Sequence, residues 1–230
     1  MGSNISNVDV IIRKLKKQAK PGAKEAMARY GINTSFALGV SIPVLRKTAR
    51  EEGKDHRLAL ALWKTGIHEA RILAGMVDDP EALSEKQMDR WVRDFNSWDI
   101  CDQCCSNLFD KTKFSYRKAI QWSKSPMEFT KRAGFVMMAV LAVHDKGACD
   151  EKFKRFFPLI RKASKDERNF VKKAVNWALR QIGKRSIALN KTAVKEAHQI
   201  ERIDSSSSRW IAKDALRELQ SSAVKKRLSK

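Results

Sequence analysis

The stretch that decides the fold is residues 170–182, FVKKAVNWALRQI, in which small and apolar residues recur at helical spacing around a pair of lysines. Two further stretches share this pattern, FTKRAGFVMMAV at 129–140 and SRWIAKDALREL at 208–219. The tripeptide Ala-Leu-Arg at 178–180 also returns at 215–217. A recurrence at about 40 residues is typical of two-helix HEAT repeats, in which each helix pair buries its apolar face against its neighbours.

The rest of the chain follows the same helical periodicity, and strand signals such as Asn-Gly or Asp-Gly hairpin turns are missing from the sequence. Helix starts are marked at Ser41 with Pro43, at Ser84 with Gln87, and at the serine run 205–208. We predict about a dozen helices of roughly 10–18 residues. The predicted fold is all-α, an α-solenoid of HEAT-like repeats that is curved with a basic concave face. Residues 1–230 are expected to form one such domain, and an irregular helical bundle is the alternative.

Charge is large and unevenly distributed. The formal net charge of the 230 residues is +21, which points to a polyanion as the partner. Residues 1–50 carry 10 Lys/Arg against 2 Asp/Glu, and residues 151–230 carry 22 against 8. Residues 51–110 reverse the balance, with 7 Lys/Arg against 13 Asp/Glu. Because the basic residues are spread over many segments, a nucleic acid is favoured over a membrane surface.

The cysteines and the beginning of the chain indicate a reducing, intracellular location. Cys101, Cys104 and Cys105 cluster while Cys149 stands apart, which is a poor disulfide framework. The first residues lack the apolar block of a secretory signal, and Met1-Gly2-Ser3 reads as a cloning remnant. We expect a cytoplasmic monomer that acts on the chromosome, with no membrane partner.

The acidic segment contains residues 97–105, SWDICDQCC, whose three thiols suggest a metal site at first sight. Zinc usually takes four ligands from two separated pairs, and the nearest histidines are His68 and His144. On a helix, Cys101 and Cys105 share one face, as buried small residues do. We therefore predict core packing for the thiols, no metal site and no cysteine nucleophile.

The two carboxylates of this stretch have different expected roles. Asp99 follows Ser97 near a helix start, where a capping role accounts for it. Asp102 lies one turn further along and on the same helix face as Trp98. An acid inside a DNA-binding surface repels phosphate, so its presence suggests a positive species to stabilise.

Five of the six tryptophans are first expected to pack in the core or to be partly buried, because aromatic residues at helical spacing usually are. This applies to Trp63, Trp91, Trp122 and Trp210, and Trp177 shares it on sequence pattern alone.

Taken together, five stretches resemble the AlkD family of DNA alkylation-repair glycosylases, which are built from HEAT-like repeats. The order and spacing of these stretches carry the resemblance: MARYGI (27–32), LGVSIPVLRK (38–47), NSWDICD (96–102), KRAGFV (131–136) and FVKKAVNWALR (170–180). The resemblance implies excision of cationic N3- and N7-alkylated purines, such as 3-methyladenine and 7-methylguanine, from double-stranded DNA. It implies base excision repair without base flipping, and it implies no metal and no organic cofactor.

The resemblance also implies roles for particular residues. Asp102 corresponds to the catalytic carboxylate, with Trp98 and Trp177 as the two indoles around the deoxyribose of the lesion. Arg132 corresponds to a basic residue beside the DNA backbone, and Tyr30 to an aromatic in the same cleft. From their positions on the predicted helix, Lys173 and Arg180 are expected to contact phosphates.

Two other functions fit a basic HEAT-like protein. One is a non-catalytic protein that binds branched or distorted DNA, for which Asp102 would be dispensable. The other is a protein–protein scaffold, which the uniform basic excess disfavours. Salt-sensitive binding to DNA would distinguish a DNA-binding protein from such a scaffold.

Overall fold

The computed structural model describes residues 7–229, which contain helices, turns and loops and no strand. The all-α prediction is therefore confirmed for this range. The tripeptide Met1-Gly2-Ser3, interpreted above as a cloning remnant, lies outside the described residues. The chain divides into two compact units, Met1–Thr112 and Lys113–Lys230. The single-domain expectation stays a prediction.

The first unit is organised around α5 (His68–Val77), which packs on α3 (Ile42–Glu52), α4 (His56–Lys64) and α7 (Trp98–Asn107). The buried side of α5 is almost continuous and includes Ile72, Leu73 and Val77. A 3₁₀ turn, Phe109–Lys111, follows the last helix of this unit. The helices are α1 Asn7–Lys17, α2 Ala23–Arg29, α3 Ile42–Glu52, α4 His56–Lys64, α5 His68–Val77, α6 Glu85–Arg93 and α7 Trp98–Asn107.

The second unit is organised around two long helices, α9 and α12, which pack on each other. α9 also packs on α8, and α12 contacts α11, α13 and α14, so neighbouring pairs share their buried faces. The helices are α8 Ser115–Trp122, α9 Glu128–His144, α10 Asp150–Lys154, α11 Phe157–Ala163, α12 Asn169–Gly183, α13 Ile187–Glu201, α14 Ser206–Leu219 and α15 Ser222–Leu228.

Helix starts follow the polar signals of the sequence. The Ser84 hydroxyl accepts from the Gln87 N–H at 3.2 Å, and α6 begins at the next residue. In the serine run, the Ser205 hydroxyl accepts from the Ser208 N–H at 3.2 Å, and α14 begins at Ser206. Ser41 precedes α3, whose first turn contains Pro43. All three predicted starts are confirmed.

The number and length of the helices differ from the prediction. Between residues 7 and 229 there are fifteen α-helices, and seven of them are shorter than ten residues. The chain turns between α10 and α11, and Pro158 stands in the first turn of α11. A proline there breaks no helical hydrogen bond, because its missing N–H would have had no partner. The hydrophobic periodicity of the sequence does not show where one helix ends and the next begins, as between α10 and α11.

Glycine allows close helix approach in the second unit. A Cβ on Gly134 of α9 would lie 2.2 Å from the main-chain nitrogen of Ser123, which follows α8. A Cβ on Gly183, at the end of α12, would lie 2.7 Å from Leu219 and 2.8 Å from Ala193. Gly134 in the repeated motif and Gly183 directly after it therefore permit helix contact at short distance.

Candidate functional site

Helix α7 carries the first group of candidate residues, and its sequence explains its orientation. Its buried side consists of Ile100, Cys101, Cys104 and Cys105. Trp98 and Asp102 lie one turn apart on the helix, and both are partly exposed. The predicted pairing of an indole and a carboxylate on one helix face is therefore compatible with access from solvent.

Tyr30 lies close to Trp98 in the folded chain. The Trp98 indole Nε1–H donates to the main-chain carbonyl of Tyr30 at 3.0 Å. The Tyr30 side chain itself is 74% exposed. Three candidates thus belong to one region of the first unit: Tyr30, Trp98 and Asp102.

Asp99 has a structural partner that the sequence did not reveal. The N-cap of α7 is Ser97, and the Asp99 carboxylate lies in the first turn, where it accepts from His68 Nε2 at 2.7 Å. The Ser97 hydroxyl donates to the same carboxylate at 2.6 Å. Burial is the largest single influence and raises the pKa of Asp99, but the interactions with His68, the Ser97 hydroxyl and the Ile100 N–H together outweigh it, so the net pKa of Asp99 is lowered. Asp99 therefore connects α7 to the start of α5, and the N-cap position itself belongs to Ser97.

The three clustered thiols lie in the core, as predicted. Cys101, Cys104 and Cys105 are fully buried, and burial raises the pKa of the Cys104 and Cys105 thiols well above its usual range. A Cβ on Gly75 of α5 would be 3.1 Å from Cys104 Sγ, so α5 and α7 meet here. Across residues 7–229, no group of three or more His, Cys, Asp or Glu side chains is arranged to hold a metal ion.

In the second unit, Arg132 is a buried residue of α9. Its side chain is 5% exposed, and Nη1 donates to the main-chain carbonyl of Phe170 on α12 at 2.7 Å. This contact stabilises the packing of α9 on α12. Its implied position beside a DNA backbone stays a prediction.

The other candidates of this unit lie on α12. Trp177 is partly exposed and Lys173 is exposed. Arg180 is bound to acids of α14, with Nη1 at 2.5 Å from Glu218 and 3.4 Å from Asp214. A phosphate at Arg180 would compete with these two carboxylates, and its phosphate contact stays a prediction.

Sequence reasoning placed most tryptophans correctly. Trp63, Trp91 and Trp122 are no more than 5% exposed, and Trp63 stacks on Trp91 with ring centroids 4.0 Å apart. Trp210 on α14 is 42% exposed and has the Lys172 ammonium 5.3 Å above its ring. It is the most exposed tryptophan of the part of the chain described.

A lysine-rich cavity is a feature that the sequence patterns did not indicate. It has a volume of about 320 Å³ and lies between the end of α8, the start of α9 and the end of α11. Lys131 in its wall pairs with Asp166 at 2.7 Å, and Asp166 also binds Arg168 at 2.6 Å. The Arg168 guanidinium and the Lys131 ammonium hold the pKa of Asp166 well below its usual range. The remaining cations of the wall are Lys124, Lys162 and Lys165.

None of the helices within residues 7–229 combines the length and the apolar character that a membrane span requires.

Comparison with known proteins defines the family. The sequence profile of the DNA alkylation repair enzyme family matches residues 11–219, nearly the whole chain. The chain belongs to this family. The resemblance seen in the sequence motifs is thereby confirmed.

A solved structure supports the fold assignment. It is described as a new family of proteins related to the HEAT-like repeat DNA glycosylases with affinity for branched DNA structures. It matches with a TM-score of 0.77 and 21% identity, over 93% of this chain and 96% of that chain. The HEAT-like repeat fold is therefore confirmed, while the curvature and the basic concave face stay predictions. A search of curated proteins found no significant match.

Proposed function

We propose that this protein is a monofunctional DNA glycosylase that removes cationic N3- and N7-alkylated purines from double-stranded DNA. The observation that carries the proposal is the arrangement on α7. Trp98 and Asp102 lie one turn apart on this helix, and both are partly exposed. Membership in the DNA alkylation repair family supports the same reading.

The chemistry suits a carboxylate that acts on a positive charge. An alkylated purine is already a cation, so it can leave without protonation by a general acid. As the bond between C1′ and the purine nitrogen breaks, its electron pair stays with the purine and the sugar becomes oxocarbenium-like. The Asp102 carboxylate would stabilise that charge and orient the water whose oxygen bonds to C1′, with the water proton released to the carboxylate or solvent.

The other candidates complete the proposal. The Trp98 and Trp177 indoles would contribute cation–π attraction to the sugar and the cationic base. Tyr30, Lys173 and Arg180 would contact the DNA. Arg132 would lie beside the DNA backbone, a role that rests on the family resemblance alone. The protein would act as a monomer on the chromosome, without a metal or an organic cofactor and without base flipping.

The test is release of free 7-methylguanine and 3-methyladenine from methylated duplex DNA by wild type and by Asp102→Asn, with DNA affinity measured in parallel. We expect the variant to bind DNA at least as well as wild type and to lose at least 100-fold in base release, since an electrostatic stabiliser of the transition state is removed.

Glu81→Gln is the matched control, because it removes one exposed negative charge from the same unit. It should release base at the wild-type rate. If wild type binds DNA and releases no alkylated base, the glycosylase proposal is wrong.

A second candidate is non-catalytic binding of branched or distorted DNA. It is favoured by the structural match to a protein that is described as having affinity for branched DNA. In that case wild type would bind a three-way junction more tightly than a duplex, release no base, and keep its junction affinity in Asp102→Asn.

A further inference from the structure

The loop between α2 and α3 carries two large aromatic side chains in solvent. Tyr30 is 74% exposed and Phe36 is 68% exposed. Single exposed apolar residues are common on protein surfaces. Two exposed aromatic rings six positions apart on one short connection are less usual, and Phe36 has no role in the function proposed above.

The backbone of this loop is held at three places by residues of α5 and α7. Trp98 of α7 donates to the Tyr30 carbonyl at 3.0 Å, and the His68 N–H at the start of α5 donates to the Phe36 carbonyl at 3.0 Å. At the far end, the Glu69 carboxylate accepts three main-chain N–H groups in succession. These come from Leu38 at 2.7 Å, Gly39 at 2.7 Å and Val40 at 3.1 Å.

This support fixes the loop while leaving the Phe36 ring in water. Glu69 itself is 1% exposed, so a buried charge is used to hold the loop backbone. A ring on a fixed backbone loses little conformational entropy when it meets a ligand, which favours binding. The arrangement is therefore that of a preorganised contact surface.

The charge of this part of the chain indicates what the ring would contact. Residues 7–50 carry ten Lys/Arg and two Asp/Glu. The end of the loop touches α2, where a Cβ on Gly39 would lie 3.1 Å from Ala23 and 3.9 Å from Lys24. A second copy of this chain is disfavoured as occupant, because each copy carries a net charge of +21. A nucleic acid offers both phosphates for the cations and flat faces for the rings.

We propose that Phe36, together with Tyr30, is a stacking platform for an unpaired or unstacked base of the DNA. A fully paired duplex covers its base faces, so the platform would act at a bulge, a junction or a distorted site. This inference rests on the proposed DNA binding and not on catalysis. It therefore holds for either function considered above.

The experiment compares two DNA probes, an intact duplex and the same duplex with a three-nucleotide bulge that contains 2-aminopurine. Binding is measured by anisotropy, and stacking by the change in 2-aminopurine fluorescence. We expect Phe36→Ala and Phe36→Leu to weaken binding to the bulged probe by roughly tenfold and to reduce the fluorescence change. Duplex affinity should stay within about twofold, and Phe36→Trp should retain bulge binding.

Val10→Ala is the control, since Val10 is another exposed apolar residue of the same unit, at 51% exposure. It should match wild type on both probes. If Phe36→Ala and Phe36→Leu are folded and bind the bulged probe like wild type, the stacking inference is overturned. If wild type binds neither probe, the DNA-binding proposal itself has failed, which is a different result.

Discussion

The two units of the molecule hold their helices together by different means. In the first unit, buried acidic side chains connect separate segments: Glu69 holds the loop 38–40, and Asp78 binds His56 of α4 and Gln87 of α6 at 2.7 and 2.8 Å. In the second unit, long helices meet at small residues such as Gly134 and Gly183. The ion pair of Arg180 with Glu218 there is partly exposed, and Arg132 is a buried cation whose partner is the Phe170 carbonyl.

This difference shows what each kind of local structure requires. A loop folded against a core has main-chain N–H groups that need acceptors, and a buried carboxylate supplies several at once. Helices satisfy their own main chain, so neighbouring helices need only compatible surfaces and space. The first unit is thus sensitive to polar substitution, and the second to added volume.

The largest effect is expected for Gly134→Ala in the second unit. The added methyl would lie 2.2 Å from Ser123 N and 2.8 Å from the carbonyl carbon of Trp122, both main-chain atoms that cannot rotate away. We expect a loss of about 3 kcal/mol in the free energy of unfolding, measured by urea denaturation. Gly147→Ala is the control, because no atom lies within 4 Å of its added Cβ. A Gly134→Ala protein as stable as wild type would contradict the close-packing account.

A somewhat smaller effect is expected for Glu69→Ala in the first unit. The substitution leaves the N–H groups of Leu38, Gly39 and Val40 without their acceptor. We expect a loss of about 2 kcal/mol in the free energy of unfolding and faster amide exchange in residues 38–40. Glu81→Ala, at an exposed position, should change stability by less than about 0.5 kcal/mol. Unchanged amide exchange after Glu69→Ala would show that the carboxylate does not hold the loop.

The smallest effects concern the pH dependence of stability. In the first unit, one carboxyl group should contribute less stability as pH falls and another should contribute less as pH rises. The pKa of Asp99 is lowered in the folded state, so its stabilising contribution is present above the unfolded pKa and is lost as pH falls. The pKa of Asp78 is raised, chiefly by burial, so its contribution is present at low pH and is lost as pH rises through the folded pKa.

The measurement is urea unfolding of wild type, Asp99→Asn and Asp78→Asn between pH 3 and 5.5. The advantage of wild type over Asp99→Asn should shrink as the solution becomes more acidic. Its advantage over Asp78→Asn should instead shrink as pH increases from about 4. Parallel curves for the two variants would contradict the opposite pKa directions.

Much of the candidate site follows from sequence pattern, because the pattern is local. Trp98 and Asp102 share a helix face at a spacing of one turn, and the exposure of Lys173 follows from its position on α12. The role of Asp99 could not be predicted in this way. Its partner His68 lies 31 positions away in the sequence, and nothing in a local motif identifies it.

By itself, the sequence determined the helical class, the HEAT-like fold and the family, and it supplied the proposed catalytic residues, because helical periodicity and motif spacing are properties of neighbouring residues. The tertiary structure decided which charges are engaged and which aromatic rings remain in solvent. It buried Arg132 against the Phe170 carbonyl, bound Arg180 to Glu218, and held the Tyr30–Phe36 loop from α5 and α7. The physical reason is that these contacts join distant segments, and only the packing of helices brings such segments together.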